Sequence, residues 1–183
     1  MYNKEVTVHK YKRIHIIGSV ASGKTTLAKR LSSTWNIPYY ELDNVVWERH
    51  NSGDRRRTEK EREEYLRELL QSEEWIVEGV HNESWVAESF HKADLVIFLD
   101  TKYSVRTYRI IKRFIFQKLC LEKSNYKPTI KIFFKMFKWN KQFEEGGKPN
   151  FFNVYADLQN KVFIARTNRC INRFFKDSTS AAN

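Results

Sequence analysis

The residues Gly18-Ser19-Val20-Ala21-Ser22-Gly23-Lys24-Thr25 set two glycines, a lysine and a hydroxyl at the spacing G-x-x-x-x-G-K-[ST]. An apolar run at Ile14, Ile16 and Ile17 precedes them, and the breaker-free stretch TLAKRLSSTW follows. A loop joining a strand to a helix in this way cradles phosphates. Gly18 and Gly23 let the backbone curl so that successive N–H groups face one concavity, and the helix that begins near Lys24 adds the positive end of its dipole. The chemistry implied is binding of ATP with Mg²⁺: Lys24 reaches the β- and γ-phosphates, and the Thr25 hydroxyl ligates the metal. Gly18, Ser19, Ala21, Ser22, Gly23, Lys24, Thr25 and Thr26 form the nucleotide-contacting set, with Thr26 a helix residue rather than a second metal ligand. A plain glycine turn explains the two glycines but not the Gly-Lys-Thr run.

Phosphate transfer also needs carboxylates, to hold Mg²⁺ through water and to orient or deprotonate an acceptor hydroxyl. Three stand just past apolar runs: Asp43 in YELDNVVW, Glu78 closing WIVE, and Asp100 closing LVIFLD. His81 follows Glu78 at the same strand end. Asp43 is read as the hydroxyl-facing group, with a strand-ending turn residue as its alternative. Glu78 is read as a metal or acceptor carboxylate, and the following Gly79 as room for a substrate to approach the backbone. Asp100 is equally a helix cap. In RTYRIIKR, Arg109 and Arg113 lie four apart on one helical face with Arg106 one turn earlier. Guanidinium forks converging there would stabilise charge on a transferring phosphoryl group; the alternative is a solvated basic face.

Alternation of strands and helices must position these groups. Strands are expected at Arg13–Ile17, Tyr39–Leu42, Trp75–Glu78, Leu95–Leu99 and Lys161–Ala165. Thr58 with Glu61 forms a capping box opening a helix to about Leu70. A long helix is expected from about Ser104 to Leu119, and another from Thr129 to Glu145, ended by Gly146-Gly147 with Pro149 beyond. The pattern predicts an α/β fold with a parallel sheet covered on both faces, whose ligand lies beyond the carboxyl ends of the strands.

The chain has 183 residues, 41% of them hydrophobic, which suits one domain with a sizeable core. It shows no signal-peptide pattern and no stretch of membrane-spanning length, so a cytoplasmic protein is expected. Cys120 and Cys170 are far apart and have no C-x-x-C or His cluster nearby, which argues against a zinc site or disulfide framework. The net charge of +11 calls for an anionic partner. Much of it is local: Arg106 to Lys141 holds eleven Lys or Arg against one acid, Glu122.

GSVASGKTTLAKRL, YYELDNVVW, WIVEGVHNESW, ADLVIFLD and RTYRIIKRF, taken in order, resemble the proteins labelled DNA topology modulation or FlaR-like, a branch of the adenylate-kinase-like P-loop kinases. The resemblance implies a three-layer P-loop fold with a five-stranded parallel sheet in the order 2-3-1-4-5. It implies an acceptor-binding insertion after the second strand, here 44–72, and a lid before the fifth, here 117–152. Arg109 and Arg113 keep from Asp100 the spacing of two lid-flanking arginines, and adenine would lie near Arg166-Thr167-Asn168. Where nucleoside monophosphate kinases carry Asp-Gly-Phe-Pro-Arg, this chain has Glu78-Gly79-Val80-His81, without the arginine that grips an acceptor phosphate. An acceptor lacking a phosphate gains weight, with Asp43 resembling the hydroxyl-facing aspartate of shikimate-type kinases. Arg55-Arg56-Arg57 could still bind a phosphate, or pair with the glutamates that follow.

Within the lid segment, Ile130, Phe133, Phe134 and Phe137 follow helical spacing beside a stripe of Lys131, Lys135 and Lys138. The aromatic side chains are expected to pack on the body or on a second copy of the chain. The lysines could close over phosphates, bind nucleic acid or rest on an anionic membrane. Two functional classes follow: a kinase moving the γ-phosphate of ATP to a nucleoside, nucleotide or similar small acceptor, using Lys24, Asp43, Glu78, Arg109 and Arg113, or an ATP-dependent DNA-binding protein that modulates topology.

Overall fold

The computed structural model describes residues 10–50, 53–119 and 129–180, the last four of them by backbone only. Cys120, Glu122 and part of the 117–152 segment lie outside these residues. The first strand, β1 (Arg13–Gly18), runs into the phosphate loop and α1 (Lys24–Trp35). Next come β2 (Tyr39–Glu41), a short α2 (Leu42–Val46), β3 (Trp47–Glu48), β4 (Arg55–Arg56) and α3 (Glu59–Leu69). The chain continues through β5 (Trp75–Gly79), α4 (Ala87–Lys92), β6 (Leu95–Leu99) and α5 (Tyr103–Lys118). It ends with α6 (Ile130–Gln142), α7 (Lys148–Val154), β7 (Val162–Ala165) and α8 (Asn168–Ser180).

The main sheet is parallel, in the order β2-β5-β1-β6-β7. Counted over its own five strands this is 2-3-1-4-5. The period of two in each strand supplies two cores. Ile14 and Ile16 point to the layer of α1 and α8, with Leu27, Leu31 and Ile171, while Ile17 joins Val77, Phe98, Phe90 and Phe151 on the other face. Strands buried on both sides read as continuous apolar runs, which is why IIG, WIVEG and LVIFL carry almost no alternation.

His15 is the exception within that core. It is fully buried, stacked on Phe90 at 3.8 Å, with Nδ1 2.9 Å from Ser89 Oγ. Ser89 gives its own proton to the Val86 carbonyl, so it accepts from His15, which places the imidazole proton on Nδ1. Burial first, and then the charge of His81, push the imidazole down to about 3.

Two local expectations change. Leu42 opens α2 instead of closing a strand, so Asp43 sits in a helical first turn. Gly146-Gly147 does not end the helical run: α6 passes through a π-type turn (Phe143–Gly147) straight into α7, and Pro149 takes an early position of α7. Between α2 and α3 the chain also forms a two-stranded β3-β4 pairing, antiparallel with Trp47 opposite Arg56. The capping box at Thr58 and Glu61 is present as expected and opens α3.

Candidate active site

The loop between β1 and α1 is shaped by two left-handed residues, Ala21 at φ 59° and Gly23 at φ 103°. Gly23 caps α1 by its conformation, since a side chain there would be strained. Lys24 Nζ arches back to donate to the Ser19 carbonyl at 3.0 Å, so the ammonium lies across the concavity. Thr101, just past β6, donates to the Ser22 carbonyl at 3.1 Å. The Ser22 hydroxyl is buried and has no partner of its own among the described residues.

Beside the loop, Thr25 Oγ1 donates to Glu78 Oε1 at 2.5 Å. Glu78 is only 4% exposed. Burial raises its pKa; Lys24 and the Thr25 hydroxyl pull it down, and Glu41 and Asp43 push it up again, so the net direction is upward. Glu41 is the register partner of Glu78 on β2, and sequence reading passed over it. Glu41 and Asp43 thus lie close enough to Glu78 to act on its charge, with Asp43 exposed and, among the described residues, free of side-chain hydrogen bonds. A hydroxyl and a buried carboxylate beside a phosphate-binding loop are a donor set that fits Mg²⁺, which keeps several waters and few protein ligands.

From α5, Arg109 Nη1 donates to the carbonyls of Ala21 (3.2 Å) and Ser22 (3.0 Å), so this guanidinium abuts the loop. Arg113 lies one turn further on and is half-buried. Arg106 does not join them. It faces inward, 1% exposed, where it pairs with Glu144 of the π-type turn and stacks over Tyr103. A helical face of three arginines thus splits because 106 falls on the buried side of α5. Asp100 does not cap α5: its carboxylate accepts from Lys148 Nζ at 2.6 Å and lies 3.6 Å from Arg166 Nε. Arg166 itself sits just past β7 and is largely exposed.

Gly79 also has another role than the one expected. A Cβ there would stand 2.7 Å from Leu42 Cδ1, so the missing side chain makes room for Leu42, the neighbour of Asp43. Between α3 and the turn after β5 lies a further group that the sequence did not single out. Arg62 on α3 stacks over Trp85 at 4.4 Å, and Trp85 meets His81 edge-on at 5.1 Å. Arg55 pairs with Glu48 and Glu61, while Arg57 donates to the Asn44 carbonyl and covers Tyr65, so these two are held by the protein. Asn140 of α6 is another residue the sequence reading missed: fully buried, it accepts from Ser19 Oγ at 3.1 Å and ties the lid segment to the phosphate loop. A polar residue at the i+4 position from Met136, in a helix whose other uncharged positions before it are apolar, was the available signal.

The architecture has solved counterparts. Shikimate kinase from Acinetobacter baumannii, in complex with shikimate, superposes with a TM-score of 0.56 over 94% of this chain and 91% of that one at 12% identity. Shikimate kinase from Bacteroides thetaiotaomicron gives 0.50 over 94% and 96% at 16% identity. This is a P-loop kinase fold. In sequence, a 57-residue stretch is 40% identical to shikimate kinase from Aquifex aeolicus, covering 31% of this chain and 34% of that relative's length. No family model matches the chain.

Proposed function

We propose that this protein is a small-molecule kinase that moves the γ-phosphate of ATP to a hydroxyl acceptor. The observation that carries the proposal is the Thr25–Glu78 hydrogen bond at 2.5 Å beside a loop crossed by Lys24 and backed by Arg109. Loop N–H groups and Lys24 hold the β- and γ-phosphates; Arg109 and Arg113 stabilise the charge that spreads over the transferring group. Thr25, and Glu78 through water, would hold Mg²⁺, which would supply neutralising charge to the phosphate oxygens. Asp43, exposed and unengaged among the described residues, takes the proton as the acceptor oxygen bonds to the γ-phosphorus and the bond to the ADP oxygen breaks. Arg166, next to Asp100, borders the adenine.

The proposed acceptor class is read from the cluster of Arg62, Trp85 and His81. Arg62 over Trp85, with His81 alongside, offers a cation and an aromatic face to a small hydroxylated molecule carrying an anionic group. A shikimate-like hydroxy acid fits this chemistry, as the solved counterpart in complex with shikimate suggests. ADP release with Mg²⁺–ATP, measured against shikimate, other hydroxy acids, nucleosides and nucleoside monophosphates, tests the proposal with Lys24→Ala as blank. Stimulation by one class, absent in the variant, is the expected result; no stimulation despite ATP binding would overturn it. ATP-dependent DNA binding that modulates topology is the alternative, favoured by the basic charge of α5 and α6. Salt-sensitive retention on duplex DNA without acceptor-stimulated ADP release would select it.

A further inference from the structure

The helix pair α5–α6 presents to solvent what the other elements bury. On α5, Tyr108, Ile111, Ile115 and Leu119 recur at i, i+3, i+7 and i+11, one stripe of the helix, and are 64%, 41%, 47% and 61% exposed. On α6, Ile130 and Phe134, one turn apart, are 63% and 65% exposed. Phe114 against Phe133 at 4.4 Å joins the two helices on their inner side, so the outer apolar side chains are not needed for that packing. Most of the large exposed apolar side chains among the described residues lie on this pair.

The charge around the stripe has one sign. Lys112 and Lys118 flank it on α5, Lys131, Lys135 and Lys138 run beside Ile130 and Phe134, and neither helix contains an acid. A second copy presenting the same face would bring like charges together across the contact. Nucleic acid would use the lysines but gain nothing from four exposed aliphatic and aromatic residues in line. An apolar stripe with a lysine rim instead matches the interface of an anionic bilayer, where side chains such as Ile and Tyr enter the headgroup boundary and lysines meet lipid phosphates. No described helix is long and apolar enough to cross a membrane, so the association would be peripheral.

We propose that the α5–α6 face docks reversibly on anionic lipid surfaces. Such docking would engage the same helix that carries Arg109 to the phosphate loop. The test is co-sedimentation of the full chain with phosphatidylglycerol–phosphatidylcholine vesicles and with pure phosphatidylcholine vesicles. Binding to the anionic vesicles that weakens with salt is expected. Ile111→Ser with Ile115→Ser should lower it at least about tenfold, and each of Lys112→Gln and Lys131→Gln about fivefold. The salt series on the unaltered protein keeps the test decisive should the double variant fold poorly. No binding to anionic vesicles, equal binding to both kinds, or a wild-type dimer that the Ile111→Ser, Ile115→Ser change dissociates would each overturn the proposal. None of these outcomes bears on acceptor phosphorylation.

Discussion

The two halves of the candidate site differ in how fully the protein commits their side chains. On the nucleotide side, Lys24, Thr25, Thr101 and Arg109 all donate to fixed acceptors, and α6 adds Asn140 to the loop. On the proposed acceptor side, Asp43 is exposed, and Arg62 lies over the Trp85 ring at 4.4 Å with the Glu63 carboxylate no nearer than 3.9 Å. A phosphate loop meets the same triphosphate in every setting and can be prebuilt, whereas an acceptor pocket supplies only the few polar groups that its ligand completes. In the proposed function the first half would fix what the protein binds, and the second what it acts on.

Removing the charge across the loop should break this contrast most completely. Lys24→Ala is expected to lower acceptor-stimulated ADP release by about 10²–10³ while leaving the fold intact by circular dichroism. A fall confined to the ATP KM would mean the ammonium only binds. Next in size is a pH effect on stability. His15 is buried neutral with its pKa near 3, below its unfolded value of about 6.5, so the unfolded chain binds more protons between these limits. Stability is complete above that window and falls as the pH drops through it, by up to about 1.4 kcal/mol per unit. Denaturant midpoints in wild type and His15→Gln should diverge in slope across about pH 4 to 6.5; parallel slopes would refute the buried neutral imidazole.

Gly79→Ala probes the seam between the halves. Its Cβ would collide with Leu42, so a loss of about 1–3 kcal/mol is expected, with acceptor KM raised more than ATP KM because Asp43 is the next residue along. Glu78→Gln sharpens the metal assignment. With its pKa raised chiefly by burial, Glu78 should impose a loss of Mg²⁺-dependent rate as the pH falls, setting in above the usual carboxylate range, and the glutamine variant should lack that limb. The smallest effect belongs to Arg55→Ala. Its partners Glu48 and Glu61 are surface carboxylates, and the thermal midpoint should stay where it is; a marked drop would mean that β3-β4 depends on them.

Legibility in the sequence followed the same divide. The loop, the five strands and the capping box at Thr58 depend on residues close together along the chain, so their patterns could be read directly. Gly146-Gly147 and Pro149 looked like a helix stop, yet both glycines keep helical geometry because Phe143 and Phe151 anchor the run in the core on either side. α8 escaped notice although Ile171, Phe174 and Phe175 have helical spacing. Arg106 looked like its neighbours because composition does not say which side of α5 faces Glu144. The Arg62–Trp85 stack and the Glu41–Glu78 pairing join residues 23 and 37 positions apart, the first by packing of α3 on the turn after β5 and the second by the sheet order.

The central claim, acceptor phosphorylation organised by Asp43, is tested most directly by ³¹P NMR of Mg²⁺–ATP, the stimulating acceptor and either wild type or Asp43→Asn. A phosphoester resonance growing with ADP in wild type, and strongly slowed in Asp43→Asn at unchanged ATP affinity, is the predicted result. Ester formation at equal rates in both proteins, or inorganic phosphate as the sole product with wild type, would contradict it.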